Sequence, residues 1–186
     1  MKYTVDGKMY QMKDAPVHSL EERIQRMEDR AAVEECMYHY TNSCDNCDPV
    51  GMASCFTDTG ILSWGDVYDS QLEGREAILE SLQKMMGSAT TGTHLITNMQ
   101  IYFETSDSAL VHCYMHSWQC FKDYPHTSDC YTYGRYELQA VRDTDGEWRF
   151  QSFKLIMAGQ KGGHRACEQY NRPWPLVPCS PKTSDR

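Results

Sequence analysis

The spacing of hydrophobic and polar positions changes near Gly92. Before this residue, apolar side chains recur every three or four positions, which is typical of helices with one face on a core. After it, the chain reads as a run of long strands. The order predicts an α+β protein in which helices pack on one face of a curved antiparallel sheet. Together they would form a cone around a pocket for a small molecule.

Three helices are predicted in the first half. Ser19 and Glu22 form a capping box that starts the first helix, which runs to about Asn42. Asp48-Pro49 starts a short helix through Met52, Cys55 and Phe56, and residues 57–60 break it. A third helix lies between Gly74 and Gly87. The apolar positions of the first helix, at helical spacing, are Leu20, Ile24, Met27, Ala31 and Tyr38, and we expect Tyr38 in the core.

The strands are predicted from Ile61 onwards. Residues 61–64 form a short strand, and four long candidates lie at about 96–104, 108–121, 130–142 and 147–157. Asp143 to Gly146 form the turn between the last two. The main domain therefore spans about 19–160, preceded by an arm at 1–18 and followed by a tail with four prolines at 161–186. The Asp6-Gly7 pair predicts a hairpin in the arm, although a frayed terminus is an equal alternative, and the tail is an extended wrap or partly disordered.

Composition narrows the class of protein. The chain has 186 residues and a net charge of −8, which favours one domain and argues against nucleic acid or an anionic membrane as a partner. No apolar run is long enough to span a membrane, and we expect no secretory leader. Nine cysteines are an odd number, which excludes complete intramolecular pairing. We expect a reduced, cytoplasmic protein.

One cysteine pair has motif spacing. Cys44 and Cys47 form C-x-x-C, with Cys55 eight residues later. A zinc site needs four placed ligands and no second such pair exists, while a redox motif needs a βαβ context. Packing thiols are the preferred interpretation, and redox or metal roles stay as alternatives. We predict no metal and no cofactor.

Several fragments, in this order and spacing, resemble the SnoaL-like branch of the NTF2-like superfamily across about residues 20–158. They are EDRAAV at 28–33, YHYTNSCD at 38–45, CFTD at 55–58, GREAI at 74–78, GTHLITN at 92–98, YGRY at 133–136 and DGEWRF at 145–150. The resemblance implies a cone-shaped barrel with a deep apolar pocket, usually in a homodimer or homotrimer. Activities in the family include dehydratases, dehydrochlorinases, cyclases and isomerases, and some members have none.

The resemblance also implies site residues. Dehydratases and dehydrochlorinases of this type carry an Asp at the end of the first helix and a His just before the long strands, which match Asp45 and His94. Tyr40, five residues before Asp45, matches a tyrosine of the bile acid 7α-dehydratase. Two positions depart from the pattern. Gln119 stands near the second histidine of scytalone dehydratase, and Met157 stands where some dehydratases have arginine.

Strand alternation places side chains on two faces. The alignment points Cys113, Met115, Ser117 and Gln119 into the pocket, and His112, Tyr114, His116 and Trp118 away from it. His116 is therefore expected at a subunit interface rather than in catalysis, unless a one-residue bulge reverses the faces. Lys122 and His126 could edge the pocket mouth, and His39 reads as surface. Predicted substrate contacts are Trp64, Met115, Ser117, Gln119 and Tyr136.

The chemistry that fits is proton abstraction next to a carbonyl. His94 would be the base and Asp45 would fix its tautomer, whereas the alternative makes Asp45 a turn cap and His94 a core histidine. Tyr40 would donate to a carbonyl or leaving hydroxyl, or be a plain core tyrosine. The predicted function is a dehydratase acting on a hydrophobic steroid-, terpenoid- or polyketide-like molecule. The alternatives are an isomerase or cyclase on a similar substrate, and a binding module without chemistry.

Overall fold

The computed structural model describes residues 12–64, 71–87, 89–121 and 130–161. The predicted hairpin at residues 6–7, the segment with Lys122 and His126, and the proline-rich tail all lie outside the described residues. Three helices and six strands form within them, in the predicted order of helices first and long strands after. This confirms the α+β class.

The helices begin where the capping residues predict. α1 spans Leu20–Asp45, and the Ser19 side chain accepts the backbone N–H of Glu22. α2 spans Pro49–Ser54 behind the Asp48 cap, and α3 spans Arg75–Met86. α1 runs three residues past its predicted end, so Asp45 belongs to its last turn. No helix in the described part of the chain is long and apolar enough to cross a membrane.

The six strands form one curved sheet that is not closed into a complete barrel. Their order across the sheet is β2-β1-β6-β5-β4-β3. The bounds are β1 Phe56–Ser63, β2 Gln71–Glu73, β3 Ala89–Phe103, β4 Ser108–Phe121, β5 Cys130–Arg142 and β6 Trp148–Lys161. The long strands are antiparallel as predicted, but β1 pairs parallel to β6, so the sheet is mixed.

Three predicted boundaries are wrong. Phe56 and residues 57–60 were assigned to the short helix and its breaker, yet they form the first half of β1 with a register shift before Ile61. β3 starts seven residues earlier than predicted, at Ala89, so His94 lies inside a strand. β6 extends to Lys161. In each case pairing with a neighbouring strand, rather than local propensity alone, sets how far the extended backbone reaches.

The buried face of α1 is not the predicted one. Tyr38, expected in the core, is 42% exposed, and Leu20 is 64% exposed. Ala31, Ile24 and Met27 are exposed as well. The helix carries apolar residues on more than one side, so periodicity alone does not select a face. The buried residues of α1 are Asp29, Val33, Met37, Tyr40, Thr41, Ser43 and Cys44.

A buried acidic residue belongs to this face. Asp29 is 4% exposed, and its carboxylate accepts hydrogen bonds from Arg142 Nη2 at 2.5 Å and Trp148 Nε1 at 3.3 Å. Because a buried charge is tolerated only when it is paired, these contacts compensate for its desolvation. They connect α1 to the last residue of β5 and the first residue of β6.

An aromatic cluster fills the space between α1 and the sheet. Phe153 is 1% exposed, and its ring contacts those of Tyr40 and Tyr136 at centroid distances of 4.7 and 4.6 Å. Phe56 and Phe150 pack on Phe153 and on each other. This cluster positions the two tyrosines on either side of one buried ring.

Candidate active site

The end of α1 meets β3 through Asp45 and His94. Asp45 Oδ1 lies 2.6 Å from His94 Nδ1, and Asp45 Oδ2 accepts the backbone N–H of His94 at 3.0 Å. A carboxylate only accepts hydrogen bonds, so Nδ1 carries the proton and Nε2 is left for the other side of the ring. One side chain therefore fixes both the orientation and the tautomer of the imidazole.

The environment of His94 changes its acidity. Its side chain is 6% exposed. Burial by itself lowers the pKa of His94, but the hydrogen bonds and negative charge that Asp45 and Cys44 supply outweigh it and raise the pKa to about 9. The ring is consequently an imidazolium at neutral pH, and its neutral form is a strong base for a histidine.

The other ring nitrogen of His94 lies beside Cys44, which Gln119 contacts in turn. Cys44 Sγ lies 4.0 Å from His94 Nε2, and the amide of Gln119 reaches the same sulfur at 3.8 Å. Cys44 comes four residues after Tyr40, so the two share one face of α1. This edge of the imidazole opens to a cavity.

The cavity lies between the helices and the inner face of the sheet. It measures about 870 Å³ when the space at its mouth is included. The side chains that line it are mostly apolar or uncharged polar ones, and the described lining contains no Asp, Glu, Lys or Arg. They are Tyr40, Cys44, Met52, Trp64, Met85, Met86, His94, Met115, Ser117, Gln119, Cys130, Thr132, Tyr136, Leu155, Met157 and Gln160.

Strand pairing brings four polar lining residues into one row. His94 on β3 is opposite Ser117 on β4, and Ser117 is opposite Thr132 on β5. Thr132 is in turn opposite Gln160 on β6. Because directly opposed residues point to the same face, the row crosses the cavity wall from the imidazole outward. It offers hydrogen-bonding groups in an otherwise apolar wall.

Two buried phenols complete the site. Tyr40 and Tyr136 are 3% and 4% exposed, and both line the cavity. Burial raises the pKa of each phenol well above its usual range. Among the described residues neither hydroxyl has a hydrogen-bond partner. Since buried polar groups are normally satisfied, a neutral O–H donor is available at each of the two positions.

All but one of the predicted site residues line the same cavity, and the exception is Asp45. Tyr40, His94, Trp64, Met115, Ser117, Gln119 and Tyr136 all line the cavity. Asp45 does not line it but lies behind the imidazole. Cys113 was expected to face the pocket, yet it is fully buried away from the lining, and burial raises the pKa of its thiol to about 12. Met157, the departure from arginine, does line the cavity.

Sequence reasoning missed several lining residues. Cys130 and Thr132 precede Tyr136 by an even number of positions on the same strand, so period-two alternation could have found them. Gln160 lies past the end predicted for the last strand. Its place follows from the register with Thr132, which a single sequence does not contain.

The outer face of β4 matches its predicted side. His112, Tyr114, His116 and Trp118 point away from the cavity, and the His116 ring stacks on Tyr133 at 4.5 Å. A place for His116 at a subunit interface stays a prediction. His39 is exposed, as expected of a surface histidine.

The C-x-x-C motif shows no metal-like grouping. Cys44 is a free thiol. Within residues 12–64, 71–87, 89–121 and 130–161, no three His, Cys, Asp or Glu side chains are grouped as a metal ion would need.

Comparison with known proteins gives one family match. The model of the SnoaL-like domain matches residues 25–154, which is more than half of the chain. A search of curated proteins finds no match.

Three solved structures illustrate the shared fold. A scytalone dehydratase-like protein from Novosphingobium aromaticivorans has a TM-score of 0.69 at 21% identity, covering 76% of this chain and 92% of its own. The type 3 hexachlorocyclohexane dehydrochlorinase LinA from Novosphingobium barchaimii has 0.65 at 16%, covering 76% and 94%. A ketosteroid isomerase-like protein from Erwinia carotovora atroseptica has 0.59 at 13%, covering 69% and 95%. At these identities the likeness shows the fold.

Proposed function

Because this chain belongs to the SnoaL-like family of the NTF2-like superfamily, we propose that it is a lyase. It removes water from a hydrophobic hydroxy-carbonyl compound: the carbon next to the carbonyl loses a proton, a carbon–carbon double bond forms, and the hydroxyl leaves as water once it is protonated. The reaction involves no net oxidation or reduction, so it needs no redox cofactor. The observation that carries the proposal is the contact between the buried His94 side chain and the half-buried Asp45, in a site whose two phenols have no partner among the described residues. The structures named above indicate that the chain is related to lyases and isomerases, but they do not identify its reaction.

His94 is the base in this proposal. With Nδ1 held by Asp45, the Nε2 edge of the neutral ring takes the proton on the carbon next to the substrate carbonyl. The carboxylate then stabilises the imidazolium that forms. A positioned general base contributes about 10²–10⁴-fold to the rate. The raised pKa makes the neutral ring a stronger base but leaves roughly one molecule in a hundred neutral at pH 7.

Tyr40 and Tyr136 hold the substrate oxygen. Both phenols stay neutral, because burial raises their pKa values well above the usual range. They can therefore donate hydrogen bonds to the carbonyl, whose oxygen becomes negative when the carbon loses its proton. Donors in a buried site stabilise such charge more than water does. Their hydroxyl groups form a hydrogen bond only when such an oxygen is bound.

The imidazolium supplies the second proton. No carboxylic acid, lysine or arginine lines the described cavity, so we assign the proton that the leaving hydroxyl takes up to His94. After abstracting a proton from carbon, His94 holds one it can transfer to the hydroxyl on the same face. One residue then acts as base and acid in turn.

The lining selects the substrate class. Met, Leu and Trp side chains surround most of the space, and Ser117, Thr132 and Gln160, in the row that begins at His94, supply uncharged hydrogen-bonding groups. Such a wall favours a neutral ring compound with a few oxygens over a charged metabolite. This fits a steroid-, terpenoid- or polyketide-like molecule.

An isomerase is the second candidate. The absence of a separate acid in the described lining favours it, because an isomerase returns the proton to carbon and expels nothing. The same base and the same phenols serve both reactions. A binding module without chemistry needs none of the His94–Asp45 contacts.

The test is a panel of cyclic 3-hydroxy ketones, incubated with the full chain and followed by absorbance of the conjugated enone and by mass spectrometry. A dehydratase forms a product lighter by one water, and His94→Gln and Asp45→Asn abolish or strongly slow its formation. The matched control is His39→Gln, an exposed histidine on the same helix as Asp45, which retains turnover. Conversion of a cyclic β,γ-unsaturated ketone to its conjugated isomer, without change in mass, supports the isomerase. Turnover that survives His94→Gln would falsify the mechanism.

A further inference from the structure

We infer that Cys44 is a covalent modification site, whose thiol adds to α,β-unsaturated carbonyl compounds bound in the cavity, with His94 as the proton acceptor. The inference goes beyond the proposed function, because it needs no turnover. It would hold equally in a binding module.

The geometry is that of an activated nucleophile. Cys44 Sγ faces His94 Nε2 at 4.0 Å, and Asp45 Oδ1 holds the opposite nitrogen at 2.6 Å. Nucleophile, base and orienting carboxylate thus follow one another across a single ring, which is how a thiol is activated by an adjacent base. The Gln119 amide donates to the same sulfur and orients it.

A second observation points to the ligand. Tyr40 and Tyr136 are more than nine-tenths buried, line the same cavity and have no hydrogen-bond partner among the described residues. Their hydroxyls therefore fit a carbonyl oxygen. Tyr40 lies one helical turn before Cys44, and residues at this spacing have Cβ atoms about 5–6 Å apart. An enone whose oxygen is bound by the phenols presents its carbon chain near the thiol.

The addition is balanced without a further reactant. The neutral Nε2 of His94 accepts the thiol proton, and sulfur forms a bond to the β-carbon as the carbon–carbon double bond opens. The electron pair moves onto the carbonyl oxygen, where the phenols donate hydrogen bonds. The imidazolium then returns the proton to the α-carbon. The protein gains the mass of one enone and no oxidant is consumed.

Neighbouring thiols are not equivalent to Cys44. Cys113 is fully buried away from the cavity, and burial raises its pKa to about 12. Cys55 is buried and contacts backbone carbonyls of α1 and α2. Cys120 is partly exposed and has no histidine beside it among its described contacts, so it reports ordinary thiol reactivity.

The experiment treats the reduced full chain with 2-cyclohexen-1-one, followed by intact-mass measurement and peptide mapping. We expect Cys44 to be modified at least tenfold faster than Cys120, and Cys44→Ser to remove that adduct alone. His94→Gln slows labelling of Cys44 by at least tenfold and leaves the rate at Cys120 unchanged. Saturated cyclohexanone, which cannot be added to, slows labelling of Cys44 by occupying the cavity.

Internal controls distinguish a failure of this inference from a loss of the fold and from a failure of the lyase proposal. Cys113 stays unlabelled in each variant that keeps its fold, so a general loosening is recognised directly. Equal rates at Cys44 and Cys120, or labelling of Cys44 that is insensitive to His94→Gln in a folded variant, overturn the inference. Failure of every hydroxy ketone to react would sink the lyase proposal while leaving this labelling result intact.

Discussion

Asp45 holds His94 at two points, with one carboxylate oxygen on the ring nitrogen and the other on the backbone N–H. The second contact fixes the backbone of His94, while the first fixes its ring. A single residue at the end of α1 therefore sets where a side chain of β3 points. Four predictions follow from this relationship and from the contacts around it.

Replacing Asp45 with Asn is expected to lower the pKa of His94 below its wild-type value of about 9. The charge that stabilises the imidazolium is lost, while the burial that opposes it remains. Titration of the histidine rings by NMR checks this. His112, on the outer face, serves as the control, and its unchanged midpoint shows that the substitution acts locally. An unchanged His94 midpoint would contradict the assigned contact.

The stability of the protein is expected to fall as pH rises from about 6.5 to 9. The folded-state pKa of His94 is raised above its unfolded value, so its contribution is complete below the unfolded pKa of about 6.5 and is lost as pH rises through about 9. The loss is at most about 3–4 kcal/mol, because one pKa unit corresponds to about 1.4 kcal/mol. Urea denaturation under reducing conditions measures it.

The matched variants isolate this share of the pH dependence. His94→Gln lacks it, so the difference in unfolding free energy between wild type and variant should shrink from pH 6.5 to 9. His39→Gln keeps the wild-type slope, because that ring is exposed. Parallel curves for wild type and His94→Gln would refute the ion pair between His94 and Asp45.

Removing either phenol hydroxyl is expected to weaken ligand binding with little cost in stability. In Tyr40→Phe and Tyr136→Phe the ring packing on Phe153 is kept, and a polar group without a described partner is removed. The thermal midpoint should stay the same or rise, while cyclohexanone protects Cys44 from labelling several-fold less well. Tyr38→Phe, on the exposed side of α1, should change neither. A large loss of stability would mean that the hydroxyls are structural.

Asp29 is expected to contribute to the stability of the fold through its buried contacts with Arg142 and Trp148. Asp29→Ala leaves Arg142 and Trp148 without their buried partner and is expected to cost about 3 kcal/mol of unfolding free energy. Asp107→Ala removes the exposed partner of the same arginine and should cost less than about 1 kcal/mol. Chemical denaturation compares the two. If the costs were equal, the burial of Asp29 would not be what makes it important.

Local rules made much of the fold predictable. Ser19 and Asp48 cap the helices as predicted, since a cap acts on backbone groups only a few residues away. Alternation along β4 placed Met115, Ser117 and Gln119 on the cavity side, because a strand has a period of two. These features need only near neighbours in the chain.

Other features depended on residues far apart in sequence. Which face of α1 is buried was decided by Asp29 meeting Arg142, 113 residues away, and by the aromatic cluster on the sheet. The extent of β3, and hence the strand position of His94, was set by pairing with β4. Asp45 and His94, which the family resemblance named, lie in contact in the structure, but their spacing in sequence does not predict that contact.

The sequence by itself determined the helix starts, the order of helices and strands, and the two faces of the central strands. Those follow from backbone capping and from residue periodicity, which act over a few positions. The tertiary structure decided that Asp45 contacts His94 across 49 residues, that Cys44 faces the free ring nitrogen, and that Thr132 and Gln160 join the same row. Strand register and helix packing set these contacts, and both arise from the whole core at once.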